Sequence, residues 1–258
     1  MDLGLNGKRA LVTGASKGLG FGCAQALAAE GADVFIVSRD QDRIADAASK
    51  VGAKAHLAAD LAKAADCERV VTEAARQLGG LDVMVVNAGG PPPGTFENTA
   101  IEDWETGWEL TLMSVVRLCK HALPHLRQSG EGRIVYLGST STREPIPNIL
   151  QSNAYRSAVV ATLKTLAGEV AKDGVTVNHM ATGNVMTDRI VQVDEAVAKQ
   201  TGKSREQVTQ DRLKNIPMGR LGTIEEYGAI CAFLCSKQAG YITGQTIAVD
   251  GGMLRGVY

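Results

Sequence analysis

The chain has 258 residues, 45% hydrophobic and 21% charged, with a formal net charge of −1. That size and balance allow a sizeable core and exclude a disordered or fibrous chain. The near-zero charge leaves no basic footprint for nucleic acid, and no apolar run approaches the roughly 20 residues of a membrane-spanning helix.

Met1 to Arg9 is short and mixed and leads straight into a strand, so no secretory leader is expected. The cysteines, Cys23, Cys67, Cys119, Cys231 and Cys235, are odd in number and scattered, which reads as reduced thiols in a cytoplasmic protein. Cys231 and Cys235 have a metal-compatible spacing on a predicted helix, but without histidine or acidic company burial is their expected fate, and no metal site is predicted.

In chain order, β-branched runs predict strands at Arg9–Thr13, Asp33–Val37, Lys54–Ala58, Val83–Asn87, Arg133–Leu137, Thr176–Met180 and Thr246–Val249. Helical periodicity fills the gaps at about Gly18–Glu30, Asp42–Val51, Ala65–Leu78, Ile101–Gln128, Ser152–Lys172 and Ile224–Ser236. The alternation predicts an α/β protein, a Rossmann-type doubly wound parallel sheet in a single domain over residues 1–258. Residues of about 185–216 break the rhythm. They are polar and partly helical and follow the sixth strand, which marks them as a substrate lid or an oligomer contact.

Thr13-Gly14-Ala15-Ser16-Lys17-Gly18-Leu19-Gly20 stands between the first strand and the first helix. Side chains there would block both the tight turn and the approach of a diphosphate to free helix N–H groups, so the glycines point to a dinucleotide. After the second strand, where an acidic residue would accept the ribose hydroxyls of NAD, Arg39 is the first charge. A guanidinium suits a 2′-phosphate and Lys17 offers a second cation, so NADP(H) is expected ahead of NAD(H), with Asp40 as the feature that keeps NAD(H) open.

The turn, followed by Ala59-Asp60-Leu61, Asn87-Ala88-Gly89, Ile216-Pro217-Met218-Gly219-Arg220 and Val249-Asp250-Gly251-Gly252, resembles the short-chain dehydrogenase/reductase family over almost the whole chain, especially its 3-oxoacyl-(acyl-carrier-protein) reductase branch. The resemblance implies that Gly14, Ser16, Lys17, Gly18, Leu19 and Gly20 hold the diphosphate and that Asp60 and Leu61 meet the adenine. It further implies that Asn87, Ala88 and Gly89 line the cofactor and that Thr187 holds the nicotinamide carboxamide. The proline-glycine usual before that threonine is Thr182-Gly183 here.

The same resemblance implies a catalytic serine, tyrosine, lysine and asparagine. Ser139 matches the serine, but Ser152 stands at the tyrosine position, Arg156 at the lysine position and Thr111 at the asparagine position. Arginine can hold ribose hydroxyls or stabilise an alkoxide but cannot pass protons on. Tyr155 is the expected substitute acid, on one helix face with Ser152 and Arg156. An arginine at the lysine position also resembles halohydrin dehalogenases, which lack the glycine turn present here.

The expected activity is therefore NADPH-dependent hydride transfer to a carbonyl, a 3-oxoacyl thioester among the candidates, or its reverse. The alternative is a dinucleotide-binding sensor or assembly partner with little turnover. Partners are expected to be a small-molecule or acyl-thioester substrate, with Arg127 and Lys172 as candidate docking cations for a carrier protein. The family resemblance also implies a homodimer or homotetramer joined through helices 101–128 and 152–172.

Overall fold

The computed structural model describes residues 2–257. Seven parallel strands run β1 (Arg9–Thr13), β2 (Asp33–Ser38), β3 (Ala55–Ala58), β4 (Val83–Val86), β5 (Arg133–Leu137), β6 (Thr176–Thr182) and β7 (Thr246–Val249). Their order is β3-β2-β1-β4-β5-β6-β7, so the winding reverses between β1 and β4. The central strands are buried on both faces, which is why they read as unbroken apolar runs. Strand boundaries fall within two residues of those read from the sequence.

Helices α1 (Gly18–Ala29), α2 (Gln41–Val51), α3 (Ala64–Leu78), α4 (Ile101–Trp108), α5 (Ser114–Ser129), α6 (Leu150–Val170), α7 (Asp188–Thr201), α8 (Arg205–Leu213) and α9 (Ile224–Cys235) cover the two faces. One core layer lies under α3, α5 and α6 and contains Phe35, Met84, Tyr136 and Leu163. The other lies under α1, α2 and α9 and contains Ile36, Leu27 and Tyr227. Cys231 and Cys235 are buried in this second layer.

Two expectations change in detail. The long helix expected over 101–128 is two helices joined by a π-helical turn at Glu109–Met113, whose Thr111 hydroxyl is buried without a partner. Such turns insert an extra residue into the helix and cluster at functional sites. The segment around 185–216 is a helical hairpin, α7 and α8, closed by the buried Asp194 carboxylate. Thr209 donates to Asp194 at 3.0 Å, and the Nε of Arg212 does so at the same 3.0 Å.

At the bottom of the sheet Asp82 clamps the start of β1. It accepts the Arg9 backbone N–H at 2.8 Å, Nε at 2.8 Å and Nη2 at 2.7 Å. Burial alone would raise this carboxyl, but the Arg9 hydrogen bonds outweigh it and hold the pKa at about 2. Asp82→Ala should therefore lower stability by roughly 2–4 kcal/mol, read as a shift of the denaturant midpoint. In the unfolded chain the carboxyl titrates near about 3.9. The wild-type contribution is then complete above about pH 5 and lost as the pH falls toward 2, a decline that the alanine variant should not show.

Candidate active site

The strand order places the C-terminal ends of β1 and β4 side by side at the reversal, the usual ligand crevice of such sheets. Gly14 takes a left-handed conformation with φ +58°, and a Cβ there would stand 2.5 Å from the Asn87 carbonyl oxygen. A Cβ on Gly20 would run into the Gly14 carbonyl and lie 2.9 Å from Asn87 Nδ2. Asn87 locks this approach, because its Nδ2 donates to Gly14 O at 3.0 Å, its backbone N–H donates to Thr13 Oγ1 at 2.9 Å, and its carbonyl accepts from Thr13 Oγ1 at 3.1 Å.

The start of α1 is open to an anion. Lys17 is its N-cap residue, no side chain caps the helix, and its first turn carries no acid. The unsatisfied N–H groups there are the ordinary grip for a diphosphate. Ser16 and Leu19 flank the turn half-buried, a Cβ on Gly18 would stand 3.5 Å from Thr187 Cγ2, and exposed Lys17 reaches Asp188 at 3.4 Å.

The next strand settles what Asp40 does. Its carboxylate is the N-cap of α2, accepting the Arg43 N–H at 3.0 Å and pairing with the Arg43 side chain at 3.4 Å. Arg39 is exposed and makes no hydrogen bond or ion pair among the described residues. Further along the rim, Asp60 accepts the Ala62 N–H at 3.2 Å while its own N–H donates to Asp66 at 2.8 Å. Leu61 and Ala88 are buried, and Gly89 is open beside Leu110.

At the ends of β5 and α6 the catalytic candidates separate. Ser139 Oγ accepts the Ser141 N–H at 3.1 Å, and Ser152 Oγ accepts Arg156 Nε at 3.0 Å. Both serine oxygens are thus oriented as acceptors, which leaves their hydroxyl protons free to donate. Arg156 Nη1 donates to the phenol of Tyr136 at 2.9 Å, a contact that pattern reading did not anticipate.

Tyr155 is a correction to the sequence expectation. Its hydroxyl donates to the Trp104 carbonyl at 2.7 Å, and its ring meets Trp104 and Trp108 edge-on at 5.7 and 6.1 Å. On a helix, residues three and four positions beyond Ser152 lie on opposite sides of it, about 100° apart. Arg156 falls toward the sheet and Tyr155 toward α4, so Tyr155 packs rather than serving as the substitute acid.

These features define the short-chain dehydrogenase/reductase family, and the chain belongs to it. Residues 14–254 match the family model described as Enoyl-(Acyl carrier protein) reductase. The chain is 32% identical over 256 residues to the NADPH-dependent reductase BacG of Bacillus subtilis, covering 97% of this chain and 99% of that protein. It is 36% identical over 250 residues to the short-chain reductase protein NovJ of Streptomyces niveus, covering 94% and 92%. Its fold is similar to that of L-sorbose reductase from Gluconobacter frateurii, solved with NADPH and L-sorbose, with a TM-score of 0.95 and 33% identity over 100% of both chains.

Tyr155→Phe should cost about 1 kcal/mol in stability through the lost bond to Trp104, measured by chemical denaturation. A reductase assay of the same variant should give the wild-type rate, and a deep loss of turnover with stability unchanged would restore Tyr155 to the chemistry.

Proposed function

We propose that this protein is an NADPH-dependent oxidoreductase that reduces a carbonyl, or oxidises the corresponding alcohol, of a small-molecule substrate. The cradle carries the reading: Gly14 and Gly20 leave backbone where a Cβ would collide, against an uncapped α1, with Arg39 free beside them. Gly14, Ser16, Lys17, Gly18, Leu19 and Gly20 would hold the diphosphate, Arg39 the 2′-phosphate, and Asp60 and Leu61 the adenine. Asn87, Ala88, Gly89, Arg156 and Thr187 would line the nicotinamide half. When bound, the dinucleotide supplies the hydride. The NADPH-dependent reductases among its relatives support the same cofactor.

Asp40 no longer speaks for NAD(H), since its carboxylate is engaged in capping α2. The side chains then divide the work on the substrate. Ser139 and Ser152 donate hydrogen bonds to the carbonyl oxygen, and the Arg156 guanidinium stabilises the negative charge that grows on it. The last proton reaches that oxygen from solvent through the Ser152 hydroxyl. This is a divergent form of the family's serine, tyrosine, lysine and asparagine set, and the reductases among its relatives disfavour the alternative of a binding protein without turnover.

Phe96, Ile146 and Met186 are exposed apolar side chains on loops that follow β4, β5 and β6. They support an apolar substrate body such as an acyl chain, and the α7–α8 hairpin supports a lid over it. Carrier-protein docking has less support, because Arg127 is paired with Asp173 at 2.7 Å. An apolar groove of about 380 Å³ between α5 and α6, lined by Val116, Leu123 and Leu166, supports a homodimer joined through these helices and a tetramer built from it. The buried free thiols fit a reducing, cytoplasmic compartment, and no described helix is long and apolar enough to cross a membrane.

Arg39→Gln should weaken NADPH binding about ten- to a hundredfold in calorimetry while leaving NADH affinity within twofold, since only the phosphate contact is lost. Equal wild-type affinity for the two dinucleotides would overturn the cofactor assignment. Leu166→Glu should convert the assembly to monomers in light scattering, because it buries a charge in the groove. An unchanged mass would move the interface elsewhere.

A further inference from the structure

Parallel strands buried on both faces are normally filled with aliphatic side chains. Beneath the start of α6 this sheet instead carries a phenol and an imidazole: Tyr136 on β5 and His179 on β6 are register partners, 0% and 2% exposed. Their rings stack with centroids 5.4 Å apart and an angle of 30°. A Cβ on Gly138 would collide with the imidazole, so the glycine before Ser139 is what admits His179 to this position.

The stack supports Arg156. Two of its three guanidinium nitrogens are fixed by oxygens from different elements, Nη1 by Tyr136 on β5 at 2.9 Å and Nε by Ser152 on α6 at 3.0 Å. A planar fork held at two corners has its plane set. The third corner, Nη2, makes no hydrogen bond among the described residues and lies 3.4 Å from the place a Cβ on Gly90 would take, at the open end of β4 beside Asn87 and Gly89.

His179 is suited to the place beneath because it stays uncharged. Burial, aided by the charges of Arg156 and Arg143, pushes its pKa down to about 3. The Nε2 atom is buried without a partner, and Nδ1 lies 3.3 Å from Thr246 Oγ1. A neutral ring can back the phenol without repelling the guanidinium above it, whereas an imidazolium would not.

We propose that Tyr136 is the positioning residue of this active site: backed by His179, its hydroxyl sets the plane of Arg156 so that Nη2 faces the reacting centre. Anchoring otherwise drawn from a tyrosine and lysine on one helix is thereby moved to the strand below. Tyr136 is sealed beneath Arg156 and acts through it, without touching substrate. The role of Arg156 in turnover rests on the reductase reading above, whereas the fixing of its plane does not.

The test has two arms with separate failures. In cofactor-free protein labelled with 15N-arginine, the two Nη signals of Arg156, assigned by their loss in Arg156→Lys, should be resolved in the wild type and in Tyr155→Phe and merged in Tyr136→Phe. Merged signals in the wild type, or resolved ones in Tyr136→Phe, overturn the proposal whether or not the protein turns anything over. In single turnover with NADPH and a panel of ketones, ketoses and 3-oxoacyl thioesters, Tyr136→Phe should slow hydride transfer about tenfold or more with the NADPH Kd within twofold. In an Arg156→Lys background the same change should have almost no further effect. Additive losses would make Tyr136 a packing residue. Absence of any wild-type turnover would sink the reductase reading, and the NMR arm would still decide the positioning.

Discussion

The site depends on how closely the β1–α1 turn approaches the end of β4. Two glycines make that approach sterically permissible, and Asn87 fixes it by bonding Gly14 and Thr13 from the next strand. Bulk at either glycine would separate β1 from β4 at the point where the winding reverses. The open N–H groups of α1, the rim at Asn87–Gly89 and the end of β5 all take their positions from that junction. The proposed binding and reacting ends are adjacent here because the hydrogen bonds of Asn87 to Gly14 and Thr13 hold both.

Charge placement around the junction has a simple logic. Acids near the proposed phosphate sites have other partners: Asp40 caps α2, and the Asp66 carboxyl is held below the usual carboxylate range by Arg69 and the Asp60 N–H. Cations face the crevice with fewer ties, since among the described residues Arg39 has no ion-pair partner and Lys17 has only the long, exposed contact to Asp188 at the start of α7. That weak link joins the glycine turn to the proposed lid, and an exposed pair of this kind contributes little to stability and yields readily to an incoming anion. The hairpin behind it is held firmly by Asp194 and Arg212. The α7–α8 hairpin is thus tied more firmly within itself than to the glycine turn.

The proposed reacting end of the site is held together by contacts between α6 and the sheet. In the proposed reading Ser152 stands on α6 where the family resemblance implies a tyrosine. Arg156 is bonded to Ser152 on its own helix and to the phenol of Tyr136 on β5. The neighbouring polar atoms of Thr111 and Gln151 are buried without partners, on the π-helical turn and the first turn of α6. Unsatisfied groups of this kind are costly in a core, and both belong to elements that converge on Arg156 and Tyr155.

Much of this protein was legible in its sequence because the signals are local. Strand runs, helix periods and the glycine turn each depend on residues within one turn or one strand, so the doubly wound sheet and the place of the glycine turn follow from chain order, while the other proposed cofactor residues, Arg39 aside, came from the family resemblance. Ser152 and Arg156 were found by counting along the chain to where the family resemblance implies a tyrosine and a lysine. Tertiary structure alone decided the remainder, because it depends on contacts between distant residues. Asp40 caps α2, Tyr155 turned to Trp104, and Tyr136 and His179, which are 43 positions apart, met across adjacent strands. A sequence states which side chains a helix or strand carries, while the direction each one takes is set by the element packed against it.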